Sequence, residues 1–349
     1  MTLIIDLAPD NFNDVINASA EIIKNGGTVV FPTETVYGLG ADALSSEACA
    51  KIFRAKERPI DNPLIVHVSN FEMVKQVAEI SDDLLKKMKN IWPGPLTLLL
   101  KKKDIVPDIV TSNMDTVCVR FPDNKIALAL IEKAGPIAAP SANIATKPSI
   151  VDSADAIREF DGRVDAIINA GRVKYGVEST ILDVTVHPFE LLRPGAFTLE
   201  DIEELLGEVH VGSVAGGYSE SSIALTPGMK YRHYAPSKKL ILIENNQKFR
   251  EFIQSDLSAD FVALCSMENA QYAKYDSLIL GNDIYEVAHN LFYYFRMLDS
   301  SNKKFGVIQS FSEKGIGFGV MNRIRKASYL ILKDKENIDK INNVLNEYR

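Results

Sequence analysis

Residues 26–43 read GGTVVFPTETVYGLGADA, and this short stretch already sets the class of fold. Gly26-Gly27 closes a helical pattern, expected to be capped by Asp10 and to run to about Lys24. Phe12, Val15, Ile16, Ser19, Ile22 and Ile23 recur on one face of it. Thr28 to Phe31 then reads as a buried strand, and the polar segment PTETVY follows at once. A helix that feeds a buried strand, with hydroxyls where the strand ends, is the texture of an α/β protein with a ligand site at its strand ends.

The alternation continues on both sides of this segment. Ser45 or Ser46 can cap a helix that runs to about Lys56 before Pro59 breaks it. A helix from Ser81 to Ile91 stops at Trp92-Pro93-Gly94-Pro95. Strands are expected at Leu64–Val68, Leu96–Leu100, Thr116–Arg120, Ile137–Ala139, Ala166–Asn169, Thr180–Val184 and Leu191–Arg193. Short and long connections are mixed, which points to a sheet of mixed direction. From Gly207 the chain turns small and polar, with Pro227-Gly228 and Pro236 as punctuation, and reads as a linker. A second strand–helix alternation starts at Leu240, at the spacing of a small Rossmann-like unit. The expected division is a first α/β domain over 1–206, a linker or lid over 207–238, and a smaller Rossmann-like α/β domain over 239–349.

Composition removes several function classes. The 349 residues carry 39 basic and 46 acidic side chains, a net charge of −7, which disfavours a dedicated grip on nucleic-acid phosphates. The three cysteines (Cys49, Cys118, Cys265) are too few and too scattered for a disulfide framework, and fit a reducing cytoplasm. The first residues lack the basic and apolar regions of a signal peptide, and no apolar run is long enough to span a bilayer. With five histidines and no H-E-x-x-H, G-x-S-x-G or P-loop pattern, a zinc hydrolase, serine triad or Walker-type NTPase has nothing to be built from. Gly38 to Ala43 satisfies G-x-G-x-x-A, but it follows a polar segment instead of ending an apolar strand, so the match carries little weight.

The stronger signal is a set of polar segments at strand ends: Pro32 to Leu39; Lys56-Glu57-Arg58 with Asn62-Pro63-Leu64 and His67; Arg120-Phe121-Pro122; Ala139 to Asn143; Glu178-Ser179-Thr180; and Arg193-Pro194-Gly195. Lys56, Arg58, His67, Arg120 and Arg193 supply cations for phosphates or carboxylates, and Thr35, Ser141, Asn143 and Ser179 supply short orienting groups. Each also has a plain structural reading. Lys56 and Arg58 suit a helix C-terminus, Ser141 and Asn143 suit a cap and turn, and His67 suits a satisfied strand histidine. Arg120 is the exception, because a guanidinium in the apolar strand TVCVR requires a ligand or a buried carboxylate.

Together, PTETVYGLG, K-x-R…NPL, SAN, EST and RPG resemble the YrdC-like threonylcarbamoyl-AMP synthases. TPGMKYRHYAP (226–236) and GIGFGVMNRIRKAS resemble the long two-domain form of that family. Ile150 stands where the resemblance leads one to expect proline. The resemblance implies a twisted mixed sheet for the first domain. It also implies an enzyme that joins L-threonine, bicarbonate and ATP into threonylcarbamoyl-AMP with release of pyrophosphate, Mg²⁺ accompanying the ATP. A downstream transferase complex would pass the group to tRNA, with which this chain's own contact is expected to be weak. Carried over by position, Lys56 and Arg58 are the catalytic cations, and Thr35, His67, Arg120 and Ser179 contact threonine. Arg58, Asn62, Ser141, Asn143, Ser149, Arg193 and Tyr234 contact ATP, and no protein metal site is implied. The basic, tyrosine-bearing segment around Lys230, Tyr231, Arg232 and Tyr234 is expected to fold over the cleft. Two other readings are a carbamoyl-adenylate-forming enzyme of the hydrogenase-maturation type, whose accessory modules are missing here, and a non-catalytic RNA-binding module, which the negative charge disfavours.

Overall fold

The protein was analysed as a computed structural model that describes residues 1–219, 225–227, 233–333 and 340–341. Lys230, Tyr231 and Arg232 of the expected lid lie outside the described residues.

The first sheet has eleven strands: β1 (Leu3–Asp6), β2 (Val29–Pro32), β3 (Tyr37–Asp42), β4 (Ile65–His67), β5 (Leu96–Lys101), β6 (Thr116–Arg120), β7 (Ile137–Ala138), β8 (Ala166–Asn169), β9 (Thr180–Asp183), β10 (Phe189–Arg193) and β11 (Val209–Val211). Their spatial order is β1-β8-β2-β3-β7-β4-β6-β5-β9-β10-β11, with parallel and antiparallel pairs interspersed. The mixed direction follows from the connections: the tight turn at 33–36 can join only antiparallel neighbours, whereas helical crossovers return the chain in parallel.

Two local expectations change. The first helix is Phe12–Lys24, and its N-cap is Asn11, not Asp10; Asn11 gives no side-chain cap bond, its Oδ1 instead accepting from Ala8 N at 2.8 Å. Burial of Val15, Ile16, Ala20 and Ile23 therefore holds this helix, at about 2 kcal/mol for each large side chain. Gly38 and Gly40 lie inside β3, antiparallel to β2, and not at a strand-to-helix turn, so the G-x-G-x-x-A segment is not a dinucleotide loop. Gly40 has a packing reason: a Cβ there would sit 2.7 Å from both Ile137 and Phe31.

Val209–Val211, inside the stretch expected as linker, adds a strand parallel to β10. The second unit is a five-stranded sheet of β12 (Lys239–Ile243), β13 (Phe261–Ser266), β14 (Ser277–Gly281), β15 (Phe305–Gln309) and β16 (Leu330–Leu332). All its pairs are parallel, as an α/β layer requires, but the order β14-β13-β15-β12-β16 places the fourth strand between the first and second. That differs from the order 3-2-1-4-5-6 of the doubly wound Rossmann sheet, in which the first strand lies beside the second. Two helices of this unit, Ile284–Ser300 and Ile316–Ala327, face the first sheet's loops.

In Gly315-Ile316-Gly317-Phe318-Gly319, Gly315 supplies a left-handed φ of 58° at the helix start, and the other two glycines serve packing. A Cβ at Gly317 would collide with the Ser312 carbonyl, and one at Gly319 would lie 3.1 Å from Gly195 Cα.

Candidate active site

The turn after β2, the ends of β4, β6 and β10, the loop after β7, the stretch around Lys56 and Arg58 and the segment before β9 surround one cleft. Nine of the twelve residues singled out from sequence line it: Lys56, Arg58, His67, Arg120, Ser141, Asn143, Ser179, Arg193 and Tyr234. Thr35, Asn62 and Ser149 stand directly behind, bonded to Arg120, Arg58 and Glu178 respectively.

Lys56 and Arg58 both turn inward because the helix between them stops. Neighbours at i and i+2 on a helix point to different sides, but Glu57 takes a left-handed conformation (φ 53°) and caps the Ser46–Lys56 helix, whose start is capped by Ser45. Lys56 Nζ donates to the carbonyls of Ser141 (2.6 Å) and Asn143, so two of its three donors fix the SAN loop. Full burial, with Arg58 nearby, pulls the Lys56 pKa well below its usual value. Arg58 donates from Nε to the Asn62 carbonyl at 3.0 Å and from Nη2 to Asn62 Oδ1 and the Pro63 carbonyl. Asn143 Nδ2 bonds the carbonyls of Ile144 and Lys147, which ties SAN to the segment leading to Ser149.

Arg120 is 4% exposed, and its Nη2 donates to Thr35 Oγ1 at 2.8 Å. The same nitrogen lies 2.8 Å from Glu34 Oε1, yet at an angle that makes no hydrogen bond. The contact is therefore Coulombic: both Glu34 oxygens and Arg120 Nε are buried without a hydrogen-bond partner among the described residues. His67, beside Arg120, is buried with Nδ1 3.2 Å from the Ile65 carbonyl; desolvation and the guanidinium push its pKa down to about 3, so the ring is neutral at ordinary pH.

Arg193 donates to the Ser179 carbonyl from Nε (3.0 Å) and Nη2 (2.8 Å) and to Ser179 Oγ (3.1 Å), while Ser179 Oγ also pairs with Thr97 Oγ1 at 2.8 Å. Glu178 pairs with Arg323 at 2.9 Å and accepts from Ser149 Oγ. Burial alone would raise its pKa, but Arg323, Arg193 and the Ser149 hydroxyl hold it below the ordinary carboxylate value.

Pro227, His233 and Tyr234 line the cleft from the far side. Tyr234 has a left-handed backbone (φ 68°), uncommon for a residue of its size. Its ring stacks 5.4 Å from Phe292 of the second unit, tilted by 31°. His233 is buried, with Nε2 unpartnered among the described residues, and desolvation with Arg58 and Lys326 nearby pulls its pKa well down. Sequence reasoning did not assign His233, Pro227 or Arg323 to the site. Arg323 carried a usable signal: it falls in the stripe Ile316, Val320, Ile324, Ala327, where a lone charge calls for a buried partner.

Comparison with known proteins agrees with this geometry. Residues 21–195 match the Sua5/YciO/YrdC family model, described as "Telomere recombination", and residues 197–328 match the model of the threonylcarbamoyl-AMP synthase C-terminal domain. A threonylcarbamoyl-AMP synthase of Pyrococcus abyssi is 43% identical over 341 residues, covering 95% of this chain and all of that one. A Bacillus subtilis protein of the same name is 38% identical over 90% of this chain and 92% of its own. The crystal structure of P. abyssi Sua5 complexed with L-threonine superposes with a TM-score of 0.87 at 41% identity, over 95% of this chain and 99% of that one. The chain therefore belongs to the Sua5/YciO/YrdC family, in the two-domain form that ends in the threonylcarbamoyl-AMP synthase C-terminal domain.

Proposed function

We propose that this protein is an L-threonylcarbamoyladenylate synthase that consumes L-threonine, bicarbonate and ATP. The threonine amine forms a C–N bond to bicarbonate carbon with loss of water, giving N-carboxythreonine. One carboxylate oxygen then attacks the α-phosphorus of ATP, the bond to the β-phosphate breaks, and pyrophosphate leaves. No covalent nucleophile is needed, so catalysis reduces to positioning and charge neutralisation.

The observation that carries this reading is one cleft in which Arg120, bonded to Thr35, faces the same space as Ser179, Lys56, Arg58 and Arg193. We assign Arg120, Thr35, His67 and Ser179 to threonine. Arg58, Asn62, Ser141, Asn143, Ser149, Arg193 and Tyr234 are assigned to ATP, with Lys56 and Arg58 as the catalytic cations. Asn62 and Ser149 act by orienting Arg58 and Glu178. Glu34 and Glu178 face guanidinium groups, and among the described residues no group of three or more His, Cys, Asp or Glu could hold a metal. A Mg²⁺ would therefore be held largely by the nucleotide's phosphates and would neutralise their charge. The working division is a catalytic unit over 1–206 to which β11 adds an edge strand, a lid within the rest of 207–238 and a supporting unit over 239–349. A cytoplasmic setting suits three free, buried cysteines, and no described helix is long and apolar enough to cross a membrane. The product's reactive acyl phosphate calls for a downstream transferase that delivers it to tRNA.

Chromatography of the protein with ATP, Mg²⁺, bicarbonate and L-threonine tests the assignment. A new adenylate and pyrophosphate are expected, and both should vanish when threonine is omitted. Equal pyrophosphate release without threonine refutes it.

A further inference from the structure

Arg323 comes from the second unit, yet it is fully buried against the first unit's catalytic loops. Its Nε donates to Glu178 Oε2 at 2.9 Å, and its Nη1 donates to the Pro194 carbonyl and, at 3.4 Å, to its own helix at Gly319. These partners belong to the EST and RPG segments. Its Nη2 is buried with no hydrogen-bond partner among the described residues, although an unmade bond of this kind is costly. The guanidinium carbon lies 5.6 Å from the centre of the Tyr234 ring, which lines the cleft.

A second arginine of the same unit meets the same place from another side. Arg296 donates to the carbonyls of Pro148 and Ser149 and pairs with Glu159 at 2.7 Å. Ser149 is thus held at its backbone by Arg296, and at its hydroxyl by Glu178, which Arg323 holds in turn. A salt bridge placed for stability alone would have no reason to leave a donor unused beside a substrate cleft, and an apolar pair would pack as well at lower desolvation cost.

We propose that Arg323 is a positioning residue of the adenylate-forming site, acting through Glu178 on Ser149 and through the Pro194 carbonyl on the RPG loop that carries Arg193. This rests on the function proposed above and gives the second unit a part in it: it completes the nucleotide side of the cleft. Arg323 itself touches no reacting atom.

The test is a double-mutant cycle of Arg323→Met and Glu178→Gln in the full-length protein. Adenylate formation is read at saturating threonine with ATP varied, and unfolding temperature is measured in parallel. Arg323→Met is expected to lower kcat/KM for ATP roughly 10- to 100-fold, the loss of one charge-assisted hydrogen bond to a buried carboxylate. The KM for threonine should stay within about three-fold by the same scale. The double variant should match Glu178→Gln to within about three-fold, because the two residues act as one unit. Arg323→Lys keeps the charge, should recover part of the loss, and replaces Arg323→Met in the cycle if that variant does not fold. Losses that multiply in the double variant, or an Arg323→Met enzyme with unchanged kcat/KM for ATP, overturn the proposal. Equilibrium binding of a non-hydrolysable ATP analogue to the same proteins repeats the cycle without turnover. A parent that binds the analogue but makes no threonine-dependent adenylate thus refutes the function while the cycle still judges Arg323.

Discussion

Removing Arg120 should have two separable effects, and the structure supplies the magnitude of each. If Arg120 receives the threonine carboxylate, its loss removes a charge-assisted pair worth about 2–3 kcal/mol. At 1.4 kcal/mol per decade, threonine binding weakens roughly 30- to 150-fold. Arg120 also faces Glu34, whose two oxygens are buried without hydrogen bonds. Arg120→Met alone therefore strands a buried carboxylate and should cost a further ~3–5 kcal/mol of stability. Combining it with Glu34→Gln removes that stranded charge, so most of the stability should return while the binding defect remains. Urea unfolding reads the first quantity, and calorimetric titration with threonine and with ATP analogue reads the second. Binding of the ATP analogue alone should change by less than about three-fold, under 0.7 kcal/mol. A folded Arg120→Met/Glu34→Gln protein that binds threonine within three-fold of the parent would refute the carboxylate role.

Two other outcomes follow from the same coordinates. His67 has its pKa pushed down to about 3 by burial, so between there and its unfolded value near 6.5 the unfolded chain binds the extra proton. Stability contributed by neutral His67 is therefore present above about 6.5 and is lost as pH falls toward 3, with a slope of up to about 1.4 kcal/mol per pH unit. Urea midpoints at pH 4.5 and 6.5 should draw closer in His67→Gln, and an unchanged pH dependence refutes this. Gly195→Ala would place a Cβ against the Glu178 carbonyl and 2.6 Å from Thr180 N. It should destabilise the protein by about 1–3 kcal/mol and lower adenylate formation at temperatures where it is folded; parent-like melting and activity would contradict the packing argument.

What could be read from the sequence was whatever local chemistry dictates. Strands such as VVFP and TVCVR are short, apolar and buried, and their hydrophobicity announces them. β3 did not announce itself, because YGLGAD carries two glycines whose cause is remote: Gly40 is set by Phe31 and by Ile137, almost a hundred residues on. Alternation likewise revealed a second α/β unit but not that its fourth strand slips between the first two. At the site, cations at strand ends were visible one by one, since each is anomalous where it stands. Their spending of donors was not: nothing near Lys56 says that its ammonium holds the carbonyls of Ser141 and Asn143. Nor does anything near Glu178 in the sequence say that its partner is Arg323, 145 residues on.

The Glu178–Arg323 bridge spans 145 residues of chain, and that separation is also an interval of time. At roughly 5–20 residues per second, the ribosome needs about 7–30 s to travel from one partner to the other. Through that interval the first unit can pack a hydrophobic cluster that is wholly its own, while Glu178 still lacks its partner in Arg323 and the grip of Arg296 on the carbonyls of Pro148 and Ser149 has yet to form. The nascent protein would thus hold a cleft that is shaped before it is armed, and the helix that carries Arg323 would be the one that finishes it.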